Sequence, residues 1–186
     1  MGVFWSIFEL MINLAKGFIV SQFLCKYLGF KPAIKHKNAM ILIFACINFV
    51  IISIFDYFTI FEGFWGILTY IIIAIIFSII LLDGKLYQQI IISWIVYVLF
   101  TSVNALFIFL YSNIFQILTE EIMIQKPSIY RLIIVCSVII IFFCVTRIIL
   151  KMKNKDYYLK SINWKILIIM PVIALIIVFS IENGLV

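Results

Sequence analysis

Three polar side chains in the first apolar segment are the residues of this chain that could do chemistry inside a membrane. Glu9, Asn13 and Lys16 are spaced by four and three residues, so a helix would place them on one face. An ionisable group at bilayer depth costs roughly 2.5–3.5 kcal/mol on insertion scales. We therefore expect Lys16 to face the interior of a helix bundle with a polar neighbour, and Glu9 to lie near the outer interface.

Polar residues in later apolar segments are candidate neighbours for Lys16. They are Asn48 in the second segment, Thr69 in the third, and Ser102 and Asn104 in the fourth. Two explanations remain open at this point. The polar groups form an interhelical contact worth about 0.6 kcal/mol on average, or they serve a ligand or a signal.

The histidine and cysteine residues that could act in catalysis do not have a spacing that indicates a catalytic site. His36, the only histidine, lies in a basic loop, and Cys25 and Cys46 lie at or inside apolar segments on either side of it. A cysteine protease needs His and Cys within reach of each other. Cys136 and Cys144 lie in another apolar segment, where cysteine acts as a small hydrophobe. We predict no catalytic residue, no metal site and no cofactor.

Composition determines the class of protein. The chain has 186 residues, of which 67% are hydrophobic and 12% charged, against about 45–50% and 25% in soluble domains. We predict one all-α transmembrane bundle over residues 1–186, in the cytoplasmic membrane of a bacterium. About 20 apolar residues cross a bilayer, and six segments qualify: residues 3–28, 38–55, 64–82, 87–111, 128–150 and 162–181.

Basic residues predict the orientation of the bundle. Eleven of the 14 Lys and Arg residues lie in three regions: the end of the first span with the loop after it, the turn between the third and fourth spans, and the loop between the fifth and sixth with the span ends that flank it. By the positive-inside rule these loops are cytoplasmic, so both termini are predicted outside. A cytoplasmic domain after residue 186 would need a seventh span. We expect these loops to contact lipid headgroups rather than nucleic acid.

The opposite side carries the candidate ligand-binding residues. Aromatic and acidic side chains together suit a hydrophobic or basic peptide, although an interfacial aromatic belt explains them equally well. The candidates are Asp56, Tyr57, Phe58, Phe61 and Glu62 in the first outer loop, and Gln116, Glu120 and Glu121 in the second.

Two spans have unusual features. No residue from Leu86 to Leu118 is charged, a length of about 50 Å as one helix, so part of it should tilt or project outside. Pro171 lies inside the sixth span, where it frees a backbone carbonyl. We predict a kink there and name Pro171 as a candidate hinge.

Four segments occur in an order that resembles a known family. They are "INLAKGFIVSQFLCKYLGFK", "LDGKLYQQIIISWIVYVLF", "RLIIVCSVIIIFFCVTRIILK" and "SINWKILIIMPVIALIIVF". The pattern is similar to the membrane sensor region of Agr/Com-type peptide-pheromone histidine kinases, whose cytoplasmic half carries a GHKL-type ATPase domain. The resemblance implies a homodimeric receptor that detects a secreted peptide outside and signals to a kinase inside.

The chain departs from this family at two points. Lys16 stands where such sensors often carry an acidic residue, and the phosphoacceptor histidine and the ATP-binding motifs are missing. The main alternative is a six-span substrate-binding subunit of a vitamin importer. Such subunits resemble one another in the AxxxA-type packing of small residues in the first span. This chain offers only Ala15 and Gly17 there. A third alternative is the pheromone-processing peptidase of the same systems, which the distant His and Cys residues disfavour.

Overall fold

The computed structural model describes residues 2–58, 64–115 and 129–153 of the chain. These residues form long helices and contain no β-strand, which confirms the predicted all-α class. The helices are α1 (Gly2–Leu28), α2 (Lys37–Phe58), α3 (Phe64–Leu81), α4 (Leu86–Phe115) and α5 (Ile129–Lys153).

Four of these helices are long and apolar enough to cross a membrane. Their candidate spans are Val3–Leu28, Lys37–Ile54, Leu86–Tyr111 and Arg131–Lys151. The third predicted span, residues 64–82, corresponds to a shorter apolar segment, Leu68–Leu81, and the sixth lies outside the described residues. Transmembrane helices are therefore supported, whereas a count of six stays a prediction.

The chain divides into two compact units, and the division falls within α1 and within α4. Among the described residues, the first unit falls within Ile7–Tyr97, and the second falls within Met1–Ser6 and Val98–Val186.

The first unit is held together by close contacts between neighbouring helices. Gly17 on α1 lies against α2, where a Cβ atom added to it would be 2.9 Å from the Ala45 carbonyl oxygen. Phe44 on α2 stacks on Phe77 of α3, with ring centroids 3.7 Å apart and planes 7° apart. A glycine at the crossing lets the two backbones approach, as is common where helices pack in lipid.

A set of backbone contacts, which we name the loop–turn joint, closes one end of the first unit. Phe30 and Leu82 form an isolated antiparallel bridge, and the Asp83 amide donates to the Gly29 carbonyl at 3.0 Å. Gly29, just after α1, has a φ of 83°, which L side chains rarely adopt. The joint brings the loop after α1 and the turn after α3 to the same end of this unit.

In the second unit, α5 packs against the later part of α4. Phe100 on α4 meets Phe142 on α5 edge to face, with ring centroids 5.2 Å apart. Ile134 and Val138 of α5 form a buried core, and the α4 side chains packed around it are Phe100, Val103, Phe107 and Tyr111.

Candidate functional site

The polar face of α1 has the inward orientation that its spacing predicts. Asn13 is only 2% exposed, while Glu9 and Lys16 are partly buried. Gly17, adjacent to Lys16 in sequence, lies at the contact with α2. A Cβ atom added to Gly17 would be 3.3 Å from Asn48 Cβ. The same helix also places Ser21 one turn further on, where its hydroxyl donates to the Gly17 carbonyl.

Asn48 forms the clearest interhelical polar contact. Its side chain is 1% exposed, and its Oδ1 accepts a hydrogen bond from the Tyr97 hydroxyl at 2.7 Å. Its Nδ2 donates to the Phe44 carbonyl on its own helix at 2.9 Å. The Tyr97 ring is also stacked with the ring of Tyr70 on α3, and the two ring centroids are 6.0 Å apart. Asn48 is therefore buried, and its hydrogen-bond partners are Tyr97 and Phe44.

Three buried polar residues of α4 were not singled out from the sequence. Gln89, Ser93 and Tyr97 follow one another at four-residue spacing and are each at most 6% exposed. The Gln89 amide donates to the Leu82 carbonyl at 2.9 Å, and Ser93 Oγ lies 3.1 Å from Ser78 Oγ. Their spacing, which places them on one face of an uncharged helix, was the available signal.

These contacts form an interior seam within the first unit. In hydrocarbon no water can satisfy a side-chain amide or hydroxyl, so each group must bind another protein group. Asn48, Ser93, Tyr97 and Gln89 do this through α2, α3 and the turn before α4. The seam therefore fixes the relative register of these helices, and it contains no acid–base pair suited to catalysis.

The other predicted neighbours of Lys16 are Thr69, Ser102 and Asn104. Ser102 Oγ donates to the Val98 carbonyl of its own helix at 2.7 Å, so its hydroxyl is satisfied locally. Asn104, partly buried, belongs to the second unit, whereas Lys16 and Thr69 belong to the first.

The predicted outer-loop site falls largely beyond the described residues. Phe61, Glu62, Gln116, Glu120 and Glu121 lie outside them, as does the candidate hinge Pro171. Asp56, Tyr57 and Phe58 belong to the C-terminal end of α2 rather than to a loop, because the helix continues to Phe58.

Lys31 has a structural partner that its charge alone did not predict. Its ammonium group donates to the Ile79 and Ile80 carbonyls at 2.6 and 3.1 Å. The last carbonyls of a helix have no partner within it, and the helix dipole favours a cation there. Lys31 therefore caps α3 from the loop after α1.

The four cysteines and the histidine differ in exposure. Cys25 is buried, Cys46 and Cys144 are exposed, and Cys136 is intermediate, all with free thiols. His36 is exposed. Among the described residues no group of three or more His, Cys, Asp and Glu could hold a metal ion.

The chain was compared with protein-family models, with curated proteins and with solved structures. None of the three comparisons finds a match.

Proposed function

We propose that this chain is the membrane sensor region of a peptide-signal receptor of the Agr/Com type. In this proposal six spans cross the bacterial cytoplasmic membrane with both termini outside. A secreted peptide binds the outer surface, and the signal reaches a kinase module in the cytoplasm. The receptor acts as a homodimer.

The loop–turn joint is the observation that carries this proposal. Two of the four segments that resemble the sensor family, residues 12–31 and 82–100, meet at the Phe30–Leu82 bridge. Because these two segments contact each other in the fold, their occurrence together in one sequence has a structural explanation. The end they close is rich in lysine, as the cytoplasmic end of such a sensor would be.

The ligand site in this proposal lies at the opposite end. The candidate contacts are Asp56, Tyr57, Phe58, Phe61 and Glu62, with Gln116, Glu120 and Glu121. Peptide binding would favour one of two arrangements of the spans, and it can shift their populations only by its difference in affinity for the two. Pro171 in the last span is the candidate hinge through which the change continues.

A pheromone-response reporter with Glu120 and Glu121 both changed to Ala tests the site. We expect the dose–response curve to move to higher peptide concentration, because a peptide with basic residues loses two carboxylate partners. The matched control changes Asp156, on the predicted cytoplasmic side, to Ala. An unaltered curve for the Glu120 and Glu121 variant would remove these residues from the site.

One structural feature favours a second function, a six-span vitamin-importer subunit. Gly17 forms a close crossing with Ala45 of α2, the kind of small-residue contact expected in the first span of such subunits. Purified protein that binds a vitamin with a tight dissociation constant, and that shows no response to peptide, would replace the sensor proposal with this one.

A further inference from the structure

The end of the first unit that carries the loop–turn joint concentrates positive charge. Asp83 is the only acidic residue in the loop after α1 and the turn after α3, and its Oδ1 accepts a hydrogen bond from the Gly84 amide. We name this region the basic end. Its cationic residues are Lys26, Lys31, Lys35, Lys37 and Lys85, with His36 beside them.

Two of these lysines have a role within the fold. Lys31 caps the carbonyls of Ile79 and Ile80. Lys26 lies in the last turn of α1, where the negative end of the helix dipole favours a cation. Their charges are therefore offset by the C-terminal ends of α3 and α1.

The other three lysines are not offset in this way. Lys35, Lys37 and Lys85 are exposed and stand at the beginnings of α2 and α4, where the helix dipole is positive. Neither helix has an acidic residue in its first turn. Folding alone disfavours this arrangement, so an anion from outside the chain would complement it.

Exposed apolar side chains lie directly beyond these lysines along each helix. Leu42 and Ile43 follow Lys37 on α2, and Leu86 and Ile90 follow Lys85 on α4, with 39–57% of each side chain exposed. Along each helix the surface therefore changes from cationic to apolar. This order matches a phospholipid molecule, in which the anionic phosphate is followed by apolar acyl chains. Free phosphate would use only the first part of this surface.

We propose that the basic end binds anionic phospholipid. The headgroup phosphate lies against Lys35, Lys37 and Lys85, and the acyl chains lie along the exposed faces of α2 and α4. Each lysine near an anionic membrane surface contributes about fivefold to binding. The bound lipid stabilises the folded first unit because it offsets the repulsion among these lysines and the two helix N-termini.

Thermal unfolding of the whole purified chain in a neutral detergent tests the proposal. The added probes are dioctanoyl phosphatidylglycerol, dioctanoyl phosphatidylcholine and inorganic phosphate at equal concentrations. We expect phosphatidylglycerol alone to raise the Tm, and about 1 M salt to remove the effect because the Debye length falls to roughly 3 Å. An equal rise with phosphatidylcholine or with phosphate would overturn the proposal. A missing rise, as expected if the surface instead docks an acidic protein, would also overturn it.

Matched variants locate the surface. Lys37→Gln should raise the phosphatidylglycerol concentration for a half-maximal Tm shift about fivefold, and the Lys35→Gln, Lys37→Gln, Lys85→Gln variant should lose the shift. Lys151→Gln removes the same charge from an exposed position in the last turn of α5 and should leave the shift unchanged. Equal effects of Lys37→Gln and Lys151→Gln would contradict a defined site.

Discussion

The hydroxyl of Tyr97 donates a 2.7 Å hydrogen bond to Oδ1 of Asn48, joining α4 to α2 within the first unit. Both side chains are more than 90% buried. Each offers the other a polar partner where neither water nor lipid tails can. The contact is specific in direction because it requires one rotation and one register of the two helices.

Removing this hydrogen bond should destabilise the folded state. In a double-mutant cycle of Tyr97→Phe and Asn48→Leu, we expect a coupling energy of about 0.6–1.7 kcal/mol, between the average and the maximum for interhelical hydrogen bonds in membranes. Unfolding in mixed micelles of increasing denaturing detergent measures it. Tyr87→Phe is the matched control, since Tyr87 is 52% exposed. A coupling energy of zero would show that the contact does not hold the helices.

The close crossing at Gly17 should not tolerate a larger side chain. An added Cβ would lie 2.9 Å from the backbone oxygen of Ala45, which cannot move as a flexible side chain would. We expect Gly17→Leu to destabilise the chain by about 1–3 kcal/mol. Gly17→Ala should cost less, because alanine favours helix by about 1 kcal/mol over glycine.

The control for Gly17 is Ala39→Leu, an enlargement at an exposed position of α2. It should leave the free energy of unfolding nearly unchanged in the same assay. If both enlargements had the same effect, the α1–α2 crossing would not be the reason for glycine at position 17.

Loss of the Lys31 cap should loosen the end of α3. In Lys31→Met the Ile79 and Ile80 carbonyls lose their charged donor, and we expect a loss of about 0.5–1 kcal/mol. Hydrogen exchange should become faster at the Leu82 amide, which donates to the Ser78 carbonyl at the end of α3. Lys151→Met, which changes an exposed lysine in the last turn of α5, is the control and should leave that exchange rate unchanged.

Lys16 should matter for signalling more than for folding. Leucine is favoured in a membrane helix and retains the length of the lysine stem, so we expect Lys16→Leu to fold in normal yield. In the reporter its peptide response should change, and Lys16→Arg should preserve it. Equal loss of folded protein in Lys16→Leu and Lys16→Glu would instead mean that the residue serves packing alone.

The burial of individual residues could be predicted from the sequence where the spacing of polar residues within a single helix determines it. The four-and-three spacing of Glu9, Asn13 and Lys16 predicted an inward face, and Asn13 is buried on it. The pairing of Asn48 with Tyr97 could not be predicted in this way. It depends on the rotation of α2 against α4, and α2 also packs on α3 through Phe44 and Phe77.

The role of Lys31 was hidden for a related reason. Its charge indicated only which side of the membrane the loop occupies. Capping of α3 requires the loop to fold back onto a helix about 50 residues later, through the left-handed backbone at Gly29 and the Phe30–Leu82 bridge. Nothing in the local pattern specifies that return.

The most direct test of the sensor proposal compares two strains of the source organism, one intact and one with the coding sequence deleted. Cell-free medium from a dense culture is added to dilute cells, and transcription is measured. We predict that only the intact strain responds, and that protease treatment of the medium abolishes the response. The same response in both strains would contradict the proposal that this chain detects a secreted peptide.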